Sequence, residues 1–128
     1  MADGKAEVTI ARTPDDVWKL VGEFDRLDTW MPGVDACALE GDVRTISTMG
    51  MEIKEQLRER DERARRIAYG IVQSPMPLEH HQATITVEPD GDGSKVTWAV
   101  DVRPDEMLPA FLPIYEGSLQ AVKQHLEP

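Results

Sequence analysis

The stretch that decides the fold is HHQATITVEPDGDGSKVTWAVDVR, residues 80–103. Apolar side chains alternate on both sides of Asp90-Gly91-Asp92-Gly93, a sequence typical of a hairpin turn. The residues that share the apolar face are His81, Ala83, Ile85 and Val87 before the turn, and Val96, Trp98, Val100 and Val102 after it. The stretch therefore predicts two antiparallel strands, 80–88 and 94–102, with one buried face.

After Met107 the spacing of the apolar residues changes to the three and four of a helix. The positions on this stripe are Leu108, Phe111, Leu112, Tyr115, Leu119, Val122 and Leu126. Pro109 and Pro113 do not fit inside a straight helix, so we expect the regular helix to begin near Pro113. Its apolar face is predicted to cover the apolar face of the sheet.

Upstream of the hairpin, alternation predicts further strands at 5–12, 34–40, 43–48, 51–60 and 65–72. Two short helices are predicted after the first strand, one beginning at Pro14 behind the capping residue Thr13 and one from Phe24 to Pro32. Short turns between consecutive strands indicate an antiparallel meander. The chain is therefore predicted to be one α+β domain, 1–128, in which a curved seven-stranded antiparallel sheet wraps around a long C-terminal helix.

Composition excludes several classes of function. The 128 residues carry a net charge of −10, which repels nucleic acids and anionic membranes. The basic run at 58–66 is interleaved with acidic residues and predicts a surface of salt bridges. The single cysteine, Cys37, cannot form an internal disulfide, and the polar start does not resemble a secretory signal. We therefore expect a cytoplasmic protein without stable membrane association, and a monomer is favoured.

The order of elements resembles the helix-grip fold of the START and birch-pollen-allergen (SRPBCC) superfamily. It is most similar to the bacterial polyketide cyclase/dehydrase and lipid-transport proteins. The stretches that carry the resemblance are Thr13–Trp18, Phe24–Gly33, Val43–Ile46, Glu55–Leu57 and Ala83–Pro89. The resemblance implies a cavity between sheet and helix that binds a small hydrophobic molecule such as a lipid, a polyketide or an isoprenoid. The alternation alone is equally compatible with a filled core.

Parts of the chain also resemble the plant abscisic-acid receptors of this superfamily. Residues 47–51 fall at their gate loop and 74–78 at their latch, of which only Leu78 matches. Glu55 matches a pocket glutamate. Met31 stands where the receptors place a lysine that pairs with the hormone's carboxylate, which argues against a carboxylate ligand held in that way.

The candidate ligand-binding residues come from three sources: inward positions of strands, the apolar face of the last helix, and loops at one end. They are Met31, Thr45, Met49, Ile53, Glu55, Tyr69, Ile71, Met76, Leu78, His81, Trp98, Phe111, Tyr115 and Ser118. Methionine is flexible and polarizable, so a rim of methionines suits an adaptable apolar entrance.

Glu55, His81 and Tyr115 are the candidate acid–base groups if the protein is an enzyme. A carboxylate on an apolar strand face needs a partner or a proton, and Glu55 could also anchor a ligand hydroxyl. His81 could equally be a core histidine satisfied by the backbone. No metal or cofactor motif is present. Three hypotheses stay open: a binding or carrier protein, which we favour, a cyclase/dehydrase-type enzyme, and a partner-binding module gated by loops 47–51 and 73–79.

Overall fold

The strands and the first and last helices follow one another in the order that the sequence predicts. The computed structural model describes residues 2–127. The elements are β1 (Ala2–Ile10), α1 (Pro14–Val21), β2 (Val34–Glu40), β3 (Val43–Thr48), β4 (Met51–Asp61), β5 (Arg66–Gln73), β6 (His80–Asp90), β7 (Gly93–Arg103) and α2 (Leu108–Leu126). The second short helix is only a 3-10 turn, Leu27–Thr29, shorter than predicted.

All neighbouring strands are antiparallel, in the order β1-β7-β6-β5-β4-β3-β2. The β6–β7 hairpin has the predicted register, with Ala83 opposite Val100 and Ile85 opposite Trp98. Bulges at Arg58 and Val72 interrupt the β4–β5 ladder and add to the curvature of the sheet. The predicted seven-stranded antiparallel sheet and long C-terminal helix are confirmed.

Helix α2 is longer than the sequence predicts, because it begins at Leu108 rather than near Pro113. Pro109 lies in the first turn, where a backbone N–H has no partner within the helix. Only Pro113 removes a helical hydrogen bond. The predicted start near Pro113 was therefore wrong, and the extra turn brings Phe111 over the sheet.

The core is filled at one end of the molecule and hollow at the other. At the filled end α1 packs on β6 and β7, and Val17, Val87 and Val96 are at most 1% exposed. The β4–β5 hairpin is tied to α1 by an indole hydrogen bond from Trp18 to Glu62 of 2.7 Å. At the other end α2 and the loops leave a space over the sheet. Among the described residues, no helix has the length and apolarity to cross a bilayer.

Candidate functional site

A cavity of about 530 Å³ lies between the concave face of the sheet and α2. Its walls are mainly aliphatic, thioether and aromatic side chains. It reaches the surface beside Met49 and Ile114, which are 68% and 39% exposed. The sequence alone left a filled core and a cavity equally open, and the structure has the cavity.

Most of the candidate residues contribute to this wall. Those in the lining are Met31, Met49, Ile53, Glu55, Tyr69, Ile71, Met76, Trp98, Phe111, Tyr115 and Ser118. Thr45, Leu78 and His81 are not in it. Leu78 instead packs against the hydrophobic core beside the cavity.

Thr45 lies on the opposite face of the sheet from the one predicted. In the β3–β4 ladder Thr45 is opposite Lys54, while Arg44 is opposite Glu55. Directly opposed residues share a face, so Arg44, and not Thr45, points inward with Glu55. Alternation alone does not say which face of β3 points inward, and an arginine is rarely buried unless it is paired.

Arg44 and Glu55 form a buried ion pair at the inner end of the cavity. They are 3% and 6% exposed. Arg44 Nε donates to Glu55 Oε1 at 2.8 Å, Nη2 lies 2.7 Å from the same oxygen, and Nη1 donates to the carbonyl oxygen of Phe24 at 2.8 Å. The guanidinium carbon lies 4.1 Å from the Phe24 ring centroid and 4.7 Å from that of Tyr69. The cation is therefore enclosed by protein groups on its edge and on its faces.

Sequence reasoning missed Arg44, although the hairpin contained a signal for it. Met49 and Gly50 form the turn, with φ of 51° and 74°, and Thr48 is opposite Met51. Counting back along β3 and forward along β4 from that pair brings Arg44 opposite Glu55. A positive and a negative side chain on one apolar face predict a pair.

His81 ties the sheet to α2 instead of facing the cavity. Its Nδ1 accepts the backbone N–H of Ile71 at 3.1 Å, so the neutral ring carries its proton on Nε2. Nε2 lies 3.2 Å from the Tyr115 hydroxyl oxygen and donates to it. Burial, reinforced by the nearby charge of Arg58, lowers the pKa of His81 to about 4. The ring is therefore neutral at pH 7.

Two phenols border the polar end of the cavity. Tyr69 accepts the indole N–H of Trp98 at 3.0 Å, and Tyr115 stacks on the same indole at a centroid distance of 4.1 Å. Burial, with the charge of Glu55 as a further cause, raises the pKa of Tyr69 above its ordinary value. Burial also raises the pKa of Tyr115. Both phenols stay protonated at pH 7 and act as hydrogen-bonding groups.

The other hydroxyls of the wall are satisfied by the backbone. Thr48 donates to the carbonyl oxygen of Gly33, and Ser118 to that of Ile114, at 2.8 and 2.7 Å. No lining residue is a lysine, arginine or histidine. Among residues 2–127, no group of His, Cys, Asp or Glu side chains is arranged to hold a metal. The geometry thus offers an apolar space with one carboxylate and two phenols at its inner end.

Comparison with protein families places this architecture. The model of the family described as polyketide cyclase / dehydrase and lipid transport matches residues 1–127. The chain belongs to this family. The resemblance inferred from the sequence is therefore confirmed. No curated protein matches the sequence.

Solved structures with the same fold include bacterial and plant proteins. The protein XoxI from Bacillus cereus is 29% identical, with a TM-score of 0.94 over 98% of this chain and 96% of that one. Ginseng major latex-like protein 151 from Panax ginseng is 18% identical, with a TM-score of 0.81 over 99% and 98% of the two chains. Ara h 8.0201 is 18% identical, with a TM-score of 0.79 over 98% and 97%. The last two similarities concern the fold alone.

Proposed function

We propose that this member of the family binds a small hydrophobic molecule, such as a lipid, a polyketide or an isoprenoid, in the cavity under α2. The observation that carries the proposal is the cavity of about 530 Å³ with a largely apolar wall and few polar groups at one end. Ligand sites have this composition, because the apolar wall supplies affinity and a few polar groups fix orientation.

Binding is better supported than catalysis by the state of the acid–base groups. Both ring nitrogens of His81 are engaged, and its pKa of about 4 leaves it neutral. Glu55 is held by Arg44. An acid–base enzyme needs a group within reach of the substrate with a pKa near the working pH, and the pKa values of His81, Tyr69 and Tyr115 are all shifted away from 7.

The gated-module hypothesis receives less support from the hairpin at 47–51. This segment is a tight turn with Met49 and Gly50 at its tip, and its flanking residues are paired in the sheet. We propose a monomeric carrier in a bacterial cytoplasm, supported by the single cysteine and the similarity to a Bacillus cereus protein.

Native mass spectrometry of gently purified protein tests the proposal, followed by denaturing extraction of whatever is bound. Ser118→Leu fills part of the cavity, since Ser118 is 3% exposed and lies in its wall. Gln120→Leu, on the exposed side of the same helix, is the matched control. We expect an apolar molecule bound to the wild type and to Gln120→Leu, and much less bound to Ser118→Leu. Equal retention by both variants would place the ligand elsewhere, and no binding of added apolar probes would refute the proposal.

A further inference from the structure

The polar end of the cavity has an asymmetry of charge. Glu55 contributes to the wall and Arg44 does not. The hydrogen bond from Arg44 Nε and the closest ion-pair contact, from Nη2, both go to Oε1 of Glu55, and among the described residues no hydrogen bond to the other carboxylate oxygen is present. Among the described residues, Trp30 Nε1 is the only side-chain polar atom that is both fully buried and without a hydrogen-bond partner. Oε2 of Glu55 is not such an atom, so it is not fully buried. Oε2 of Glu55 is therefore accessible from the cavity and has a free capacity to accept.

The two phenols, Tyr69 and Tyr115, supply hydrogen-bond donors to the same end of the cavity. Tyr69 accepts from Trp98, and Tyr115 accepts from His81, so each phenol keeps its own proton for donation. Both phenols line the cavity, so a phenol proton is available to an acceptor there.

We infer that the cavity selects neutral ligands that enter with a hydroxyl-type end and discriminates against carboxylates of the same size. A hydroxyl group donates to Oε2 of Glu55 and accepts from a phenol, so it matches both groups at once. A carboxylate only accepts and brings a second negative charge beside Oε2. Burying a charge without a partner is costly, and the cation that could compensate it is enclosed by Phe24, Tyr69 and Glu55. This inference rests on the proposed binding function and adds the chemical class of the ligand.

The test compares decan-1-ol and decanoate as competitors of the neutral fluorescent probe N-phenyl-1-naphthylamine, at pH 8 where decanoate is ionised. The alcohol partitions more readily into any apolar space, so the diagnostic quantity is the change in the ratio of the two affinities on mutation. Glu55→Gln removes the repulsion and leaves the charge of Arg44 uncompensated. We expect it to shift the ratio about tenfold or more toward decanoate, the effect of roughly 1.4 kcal/mol.

Glu52→Gln is the matched control, because Glu52 lies on the same strand and its side chain is exposed. It should leave the ratio unchanged. The double variant Arg44→Met/Glu55→Gln contains no buried charge and provides the same test if Glu55→Gln does not fold. Its ratio should also move toward decanoate, by less than in Glu55→Gln.

Two results would overturn the inference: an unchanged ratio in folded Glu55→Gln or the double variant, or tighter binding of decanoate than of decan-1-ol by the wild type. In both cases the probe still binds, so the proposed function survives. Failure of the wild type to bind the probe or either competitor would instead refute the proposed function, and the inference with it.

Discussion

The ion pair of Arg44 and Glu55 combines two buried charges on one apolar face. Removing one partner leaves the other charge buried and uncompensated, which costs about 3 kcal/mol or more. We therefore expect Arg44→Met and Glu55→Gln each to lower the free energy of unfolding by about that amount, measured by urea denaturation. The double variant should lose clearly less than the sum of the two.

A surface pair of the same length provides the control. Arg66 and Glu59 are joined by a 2.7 Å bond, and their side chains are about half exposed, at 49% and 51%. Exposed pairs contribute up to about 1 kcal/mol, so Glu59→Gln should change stability by less than that. Equal losses for Glu55→Gln and Glu59→Gln, or additive losses for the buried pair, would contradict the assigned role of burial.

His81 predicts how stability depends on pH. Its pKa is lowered from 6.5 to about 4 in the folded protein, so below pH 6.5 the unfolded chain binds a proton that the folded chain does not. Stability therefore falls as the pH drops from 6.5 toward 4, by about 2 kcal/mol at pH 5. Urea unfolding at pH 7.5 and 5.0 measures the change.

His125 is the control for this titration, because it is exposed near the end of α2. His125→Gln should retain the loss of stability at pH 5, and His81→Gln should reduce it. An identical pH dependence in wild type and His81→Gln would mean that other groups cause it. The carboxylates with lowered pKa, Glu7, Glu62 and Glu127, lose their stabilising effect mainly below the ordinary pKa of 4.5, so they contribute little to the difference between pH 7.5 and 5.0.

At this scale the sequence predicted the direction of the inward strand residues well, except on β3 at Arg44. Glu55 was expected on the inner face and is there, since Ile53 and Leu57 flank it in the alternation. Thr45 was wrong because the inward position of β3 is occupied by Arg44. This error has a physical cause. The burial of Arg44 is compensated by Glu55, and that pairing is visible only when β3 and β4 are considered together.

Among the secondary-structure elements, β5 and β6 separate next to the cavity. Their backbone ladder ends at the pair of Tyr69 and Ala83. Beyond this pair, side-chain hydrogen bonds to the backbone connect the two strands. Beyond that point the His81 ring accepts from Ile71, and Arg58 Nη1 donates to the His81 carbonyl oxygen at 3.2 Å. Gly70 lies directly beside the hydrogen bond between Arg58 and the His81 carbonyl. A Cβ at Gly70 would be 2.5 Å from the His81 carbonyl oxygen and closer still to the Arg58 guanidinium.

Two glycines should therefore respond oppositely to alanine. Gly70→Ala is expected to destabilise by about 2 kcal/mol, since overpacking typically costs about 1–3 kcal/mol. Adding Arg58→Ala should not restore stability, because the clash with the His81 carbonyl remains. Gly117, in α2, has open space where a Cβ would lie, so Gly117→Ala should stabilise by up to about 1 kcal/mol. The urea midpoints of Gly70→Ala, of its double variant with Arg58→Ala and of Gly117→Ala measure these changes. An unchanged midpoint for Gly70→Ala would disprove the close approach of Gly70 to the His81 carbonyl.

The order of the elements was predictable because strands and helix differ in the period of their apolar residues. The bounds of α2 were not, because two prolines near its start look alike in sequence. Pro109 costs no hydrogen bond in the first turn, whereas Pro113 costs one. Packing of Phe111 and Tyr115 on the sheet accompanies the continuous helix.

For the whole molecule, the cavity is the property that the sequence could not determine. Inward positions such as Ile53, Ile71 and Phe111 are apolar whether the space between sheet and helix is filled or hollow. The volume depends on the curvature of the sheet and on the distance of α2 from it. The bulges at Arg58 and Val72 contribute to that curvature, and neither has a distinctive sequence signal.

The net charge of −10 opposes binding to an anionic membrane through the apolar rim of the cavity, which is formed by exposed residues such as Met49 and Ile114. Burial of an exposed methionine such as Met49 contributes at most about 1.5–3 kcal/mol, which does not exceed the cost of immobilising a protein at a surface. Anionic lipids add repulsion of about 1 kcal/mol for each acidic residue near the surface. We therefore expect the protein to stay in the supernatant when it is centrifuged with phosphatidylglycerol vesicles in 0.15 M salt. Pelleting with these vesicles that Met49→Glu abolishes would show instead that the rim anchors the protein to lipid.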